Sequence, residues 1–218
     1  MCSVCAPQNS PDELLEVFDA SGIPTGRAKP RAAIHLDGDW HQAFHCWIVR
    51  GRGRRREIVL QRRSELKDTF PGVWDAAAAG HWRFGESAEQ AAREITEELG
   101  VHVSFESLRY RGRERAARVF PNGVIDREHH QVYVLESSAP LSTYRPDPNE
   151  VIGLATFPAY TLVELVRGGC AQVEATEAVT VNRDGRLRAT HVVLTHEQLV
   201  PYSAARLRRV LGRGEANW

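Results

Sequence analysis

An α/β fold, rich in strand around one central helix with a second helix outside it, is predicted by three observations. Short apolar runs bounded by turn residues recur along the chain, as strands do. One segment, Ser87 to Gly100, carries both a helix start and a helix stop. Another, Pro158 to Arg167, opens on a proline, whose fixed φ and missing N–H suit a first helical turn.

The elements follow in order. Leu14 to Phe18 alternates like a strand and ends in the turn Asp19-Ala20-Ser21-Gly22, after which Ile23-Pro24-Thr25-Gly26 continues as a loop. His41 to Val49 is a stronger strand. The basic, glycine-containing run Arg50 to Arg56 connects it to Ile58–Gln61 as an exposed hairpin loop, with a phosphate or RNA contact as the alternative. Trp74 to Ala78 is a short extended piece. In the segment that follows, Ser87 with Gln90 fits a capping box and Gly100 a left-handed stop, so a helix of about three turns lies between them. Tyr110–Val119 and Gln131–Glu136 flank a turn at Pro121-Asn122-Gly123, and Val151–Phe157 is apolar enough to be a buried strand. The tail adds a hairpin around Asn182-Arg183-Asp184-Gly185 and a basic helix from Ser203 to Leu211.

The chain has 218 residues, 42% hydrophobic and 26% charged, enough to bury one sizeable core. The expected division is a disordered leader over residues 1–11, one domain over 12–169, and a C-terminal extension over 170–218 that packs on the domain or on the partner subunit of a homodimer. Formal charge is zero, so no global field recruits nucleic acid or an anionic membrane. No apolar run approaches the ~20 residues that span a bilayer. The segment MCSVCAPQNS lacks a basic-then-apolar signal, so a cytoplasmic protein is expected. Cys2, Cys5, Cys46 and Cys170 are too few and scattered for a disulfide framework, and Cys2-x-x-Cys5 has no second pair to complete a zinc site.

The chemistry is concentrated between Gly80 and Val101, GHWRFGESAEQAAREITEELGV. Glu94, Glu97 and Glu98 fall at i, i+3 and i+4, which brings their carboxylates to one edge of the helix. Like charges that close repel and require a cation. Mg²⁺ is the natural candidate, with Mn²⁺ as the alternative, because a hard ion takes oxygen ligands and keeps positions for substrate phosphates. An E-x-x-E-E run alone is more often a solvated acidic face. Here Gly80 and Gly85 bracket a loop free to approach a ligand, Glu86 adds a fourth carboxylate and Arg93 can orient a neighbouring one, which favours a site.

These residues resemble the Nudix box: a glycine, five residues, a glutamate, seven residues, then R-E-U-x-E-E-x-G-U with U aliphatic. Gly80, Glu86, Arg93, Glu94, Ile95, Glu97, Glu98, Gly100 and Val101 supply each type. The departure is a spacer of six residues, Ser87 to Ala92, in place of seven. One residue is about 100° of helical turn, so the loop or first turn must absorb the difference. The stretches GIPTGRAKPRAAIHLDGDWHQAFHCWIV and LQRRSELKDTFPGVWDAAAAGH are similar to the branch that contains isopentenyl-diphosphate isomerase and its hydrolase relatives.

The resemblance implies an α/β/α sandwich, a mixed sheet with a central motif helix. It implies Mg²⁺-dependent hydrolysis of a diphosphate linkage in a small molecule, either a nucleoside diphosphate derivative or an isoprenyl diphosphate. Glu94, Glu97 and Glu98 would hold the metal, joined by Gly80, Glu86 and Glu128, and Arg93, Glu97, Glu98 and Glu128 would serve catalysis. Glu128 is the general base by position, with His129 and His130 as stand-ins. In the isomerases two upstream histidines, a histidine after the motif glycine and a later glutamate bind metal; His35, His41, His81 and Glu128 stand near those places. The isomerases' cysteine is Ala79 here, and a methyl group supplies neither acid nor base, which disfavours isomerisation. The alternatives are an isomerase-like activity with a replacement for that thiol, and a non-catalytic domain that binds a nucleotide or RNA. Trp82, in the motif loop, and Arg62, whose fork suits a phosphate, are the candidates for substrate contact.

Overall fold

The computed structural model describes residues 12–212, so the leader and Cys2-x-x-Cys5 lie outside the described residues. The elements are β1 (Leu14–Phe18), β2 (Pro24–Pro30), α1 (Arg31–Asp37), β3 (Trp40–Arg50), β4 (Glu57–Arg63), β5 (Trp74–Ala76), β6 (Ala78–His81), α2 (Ala88–Ala91), α3 (Arg93–Leu99), β7 (Leu108–Val119), β8 (Ile125–Glu136), β9 (Val151–Pro158), α4 (Ala159–Arg167), β10 (Gln172–Glu174), β11 (Glu177–Val181), β12 (Leu187–Ala189), β13 (Val193–Thr195) and α5 (Ala204–Leu211). Eleven of these strands form one sheet in the order β12-β11-β9-β4-β3-β1-β2, with β5 on β4, β6 and β8 on β3, and β7 on β8. The β3–β8 pairing is parallel and the other pairings are antiparallel, so the sheet is mixed.

Period-two alternation divides the core between the two faces of the sheet. Phe44, Cys46 and Ile48 of β3 pack with Ala91, Ile95 and Leu99 of α2 and α3. Trp47 and Val49 face the other way, with Leu162 and Leu165 of α4 and Leu207 and Val210 of α5. The result is an α/β/α sandwich. Its second face is completed by residues beyond 169: β11 pairs with β9, and Val173, Leu194, Leu199 and Tyr202 enter the same apolar cluster.

Local structure departs from the sequence expectations at several places. The stretch from Pro24, expected as a loop, is an edge strand; Pro24 pairs at its end with Phe18, where a missing N–H costs little. Helix α1 had no periodic signal, since its seven residues are barely two turns, closed by Gly38 at φ 68°. The motif helix is broken at Ala92, with φ −65° and ψ −7°, and Ile95 N–H reaches back only to Ala92 O at 3.1 Å. The break falls at the last residue of the six-residue spacer, and the expected three-turn helix is α2 followed by α3. His129 and His130, the stand-ins for the base, are 0% and 6% exposed because β8 lies inside the sheet between β3 and β7.

Candidate active site

Three neighbouring strands place their chemistry on one face. On β3, His41 lies opposite Glu128 of β8, Ala43 opposite His81 of β6 and His130, and His45 opposite Ala79. Helix α1 adds His35 from the side. The rings of His35, His41 and His81 form a triangle with centroids 5.2, 5.2 and 5.1 Å apart. His41 Nε2 is 3.8 Å from Glu128 Oε1 and 3.6 Å from Asp126 Oδ1, and His81 Nε2 is 3.6 Å from Glu128 Oε1.

Protonation follows from burial. Removal from water pushes His35 down to about 4, helped by His41 and Arg31. Burial also lowers His41, and it drives His81 well below the ordinary imidazole range, with His41 and Arg31 adding to it. Burial and the adjacent Glu128 push Asp126 well above the usual carboxylate range. Burial opposes the charge on Glu128 as well, but His130, His41 and His81 outweigh it and hold that carboxyl low.

Neutral imidazoles beside carboxylates are a mixed donor set for a divalent ion, the imidazoles suiting Zn²⁺ and the carboxylates Mn²⁺. The cluster fits one. His35 Nε2, His41 Nε2 and Asp126 Oδ1 are buried with no hydrogen-bond partner. His41 Nδ1 faces Asp39 O at 3.1 Å, and a carbonyl accepts only, so the Nε2 lone pair is free. His81 differs: Arg31 Nε donates to its Nδ1 at 3.3 Å, a bond that ligation through Nε2 would break.

Above the cluster opens a cavity of roughly 350 Å³ whose wall carries the cations Arg31, Arg63, Lys67, Arg115, Arg118 and Arg206. Arg63 is anchored to Asp75 at 2.9 Å, and Asp75 also receives the hydroxyl of Tyr202. Ala79, Gly80 and His45 line the same cavity.

The motif glutamates meet this wall from the α3 side. A Cβ on Gly80 would stand 2.2 Å from Glu94 Cδ, so the glycine makes room for that carboxylate. Gly80 is paired in β6 with Phe44 instead of bracketing a loop. Glu98 Oε2 accepts the Ala79 N–H and Gln61 Nε2, each at 2.9 Å, and Oε1 is 3.5 Å from Lys67 Nζ. Burial raises the Glu98 carboxyl against the pull of Lys67.

Arg93 binds Glu86 at 2.8 Å, Glu97 at 2.7 Å and Glu94 more closely still. Glu94 and Glu97 therefore converge on one guanidinium nitrogen, and the cation their repulsion required is supplied here by the protein. Glu98 is turned away to Lys67, so the trio does not form one ligand cluster among the described residues. Glu86 is spent on Arg93 and on the N–H of Arg83 at 2.9 Å.

Neither expected substrate contact lines the cavity. Trp82 donates to Glu86 O at 2.8 Å and packs with the α2–α3 cluster. Arg62 is exposed and holds Gly72 O at 3.0 Å, while Arg63 turns inward. Strand alternation continues through this pair, since Gln61 and Arg63 are buried and Arg62 is exposed, and the bulge in the β4–β9 pairing puts its extra residue, Ile152, on β9. Arg31, Lys67, Asp126, Tyr202 and Arg206 also escaped the sequence reading. Lys67 alone had a signal, as one of two lysines in an arginine-rich chain.

Comparison with known proteins agrees with this architecture. A family model described as the NUDIX domain matches residues 39–169. The chain is 33% identical over 192 residues to an uncharacterized Nudix hydrolase of Clostridium acetobutylicum, covering 88% of this chain and 91% of that protein. It is 37% identical over 142 residues to an isopentenyl-diphosphate Δ-isomerase of Paenarthrobacter aurescens, covering 64% of this chain and 72% of that one. In fold it is like a crystal structure of a Deinococcus radiodurans protein, with a TM-score of 0.52 at 24% identity over 72% of this chain and 90% of that one. With the sandwich, the motif helix and near-full-length similarity in agreement, the chain belongs to the Nudix family of hydrolases.

Proposed function

We propose that this enzyme is a divalent-metal-dependent hydrolase that cleaves the diphosphate linkage of a nucleoside diphosphate derivative or an isoprenyl diphosphate. The observation that carries the reading is a cavity walled by guanidinium groups and Lys67, with an imidazole–carboxylate cluster at its floor. His35, His41, His81 and Glu128 would hold one ion, and Glu94 and Glu97, which already converge on Arg93, a hard ion, Mg²⁺ or Mn²⁺, that accompanies the diphosphate. Bound there, the metals supply charge neutralisation and Lewis-acid polarisation of phosphoryl oxygens.

The protein's own groups do the rest. Arg31, Arg63 and Lys67 bind and orient the diphosphate by charge-assisted hydrogen bonds. Arg93 keeps Glu94 and Glu97 together, in the place where they would hold an ion. Glu98, with its raised pKa, is the better proton acceptor, and Glu128, held low and tied to three histidines, is the better ligand. Ala79 puts a methyl group where the isomerases carry a thiol, which favours hydrolysis over the activity of the Paenarthrobacter relative.

A panel of nucleoside and isoprenyl diphosphates, assayed with and without Mg²⁺ and Mn²⁺ for phosphate release and for rearranged product, tests the proposal. Metal-dependent release is expected. Rearrangement without release would assign an isomerase, and neither would leave a binding domain. Glu97→Gln and Glu98→Gln are each expected to lower turnover by orders of magnitude with little change in folding; near-full activity in both would remove the motif carboxylates from the reaction.

A further inference from the structure

Helix α5 reaches the floor of the cavity through a single side chain. Arg206 is 4% exposed, its Nη2 is 2.7 Å from His130 Nδ1, and its Nε is paired with Glu114. Glu114 lies on β7 directly opposite His130 and takes a second bond from Arg209 at 3.1 Å. The ring of Tyr202 covers the guanidinium at 4.7 Å. The other nitrogen of His130, Nε2, is 2.7 Å from Glu128 Oε2.

We infer that Arg206 is a positioning residue that aims Glu128 at the histidine cluster through His130. A guanidinium donates and never accepts. Its contact with Nδ1 therefore places a lone pair on that atom and the ring proton on Nε2. The Nε2–H donates to Glu128 Oε2, which fixes the carboxylate's rotation and leaves Oε1 directed at His41 and His81. With the opposite tautomer, two lone pairs would face each other at Glu128 and two protons at Arg206. The relay also fixes how α5 must dock, since Glu114 and Tyr202 hold the guanidinium from its remaining sides. A segment beyond residue 169, outside the matched domain, thus sets the orientation of a carboxylate at the centre of the site.

The inference rests on Glu128 being a ligand, as proposed above, and the test separates the two. Mn²⁺ alone is titrated calorimetrically into chelator-stripped wild type, Glu128→Gln, Arg206→Met and Arg206→Lys, and the His130 tautomer is read from two-bond ¹H–¹⁵N spectra of metal-free protein. Arg206→Met should weaken Mn²⁺ binding by about 10- to 100-fold, as loss of a group that orients a ligand does. Arg206→Lys, which keeps a donor, should recover most of it. If Glu128→Gln binds Mn²⁺ like wild type, the ligand assignment fails. If Glu128→Gln is weakened and Arg206→Met is not, the positioning role alone fails. Should Arg206→Met not fold, the wild-type spectrum decides: Nε2–H supports the relay and Nδ1–H overturns it.

Discussion

Gly80 shows how one residue joins the motif to the cavity. It lines the cavity, and the carboxylate of Glu94 occupies the space its side chain would take. Gly80→Ala must push Glu94 out of place. Because the atoms displaced are the end of a flexible side chain, the fold should survive at a cost of about 1–3 kcal/mol, while turnover falls about 10- to 100-fold. Thermal unfolding and steady-state kinetics together check this; unchanged turnover would refute it. Single-residue chemistry was partly legible in the sequence. Glu94, Glu97, Glu98 and Arg93 announce themselves by spacing, and His35, His41, His81 and Glu128 by resemblance. Arg63 stands two residues from the buried Gln61 on β4, the side that strand alternation turns inward, while Arg62 faces solvent. Arg206 lies 76 residues from His130 along the chain, and no local pattern marks such a pair.

At the scale of elements, the stop of α3 is the best-specified feature. Gly100 has φ 64°, and a Cβ there would stand 2.3 Å from Arg145 O. Gly100→Ala should therefore destabilise by at least the ~1–2 kcal/mol of a left-handed non-glycine residue, since backbone cannot move aside as a side chain can. Chemical denaturation measures it, and a loss below 0.5 kcal/mol would contradict the account. Strands with strong apolar alternation and helices with caps were read correctly, as in β3, α4 and α5. The capping box at Ser87 forms as expected, with both reciprocal bonds present. What could not be read were α1, too short for periodicity, and the break at Ala92, a residue with no helix-breaking signal of its own.

At the scale of the molecule, the site depends on charge groups that folding removes from water. Burial lowers His35, His41, His45, His81 and His129, and it raises Glu98 and Asp126. For a depressed imidazole, the unfolded chain binds protons that the native state refuses, so stability falls as pH drops through the ordinary value of 6.5. The two raised carboxyls act in the opposite sense, and five imidazoles outnumber them. Metal-free protein should lose thermal stability steadily from pH 7 to pH 5; a flat or rising melting temperature over that interval would show that the imidazoles are solvated. The three-layer architecture was visible in the sequence. The closure of the cavity by Arg31 before the matched domain, and by Tyr202 and Arg206 after it, was not, because those contacts exist only once distant segments pack. The most direct test of the account compares chelator-stripped wild type with His41→Ala for hydrolysis of a diphosphate substrate as Mn²⁺ or Mg²⁺ is restored. Wild type should be inert until the ion returns, and His41→Ala should stay about 10- to 100-fold slower at every ion concentration. Equal rates in the two proteins would show that the histidine cluster is not the centre of the reaction.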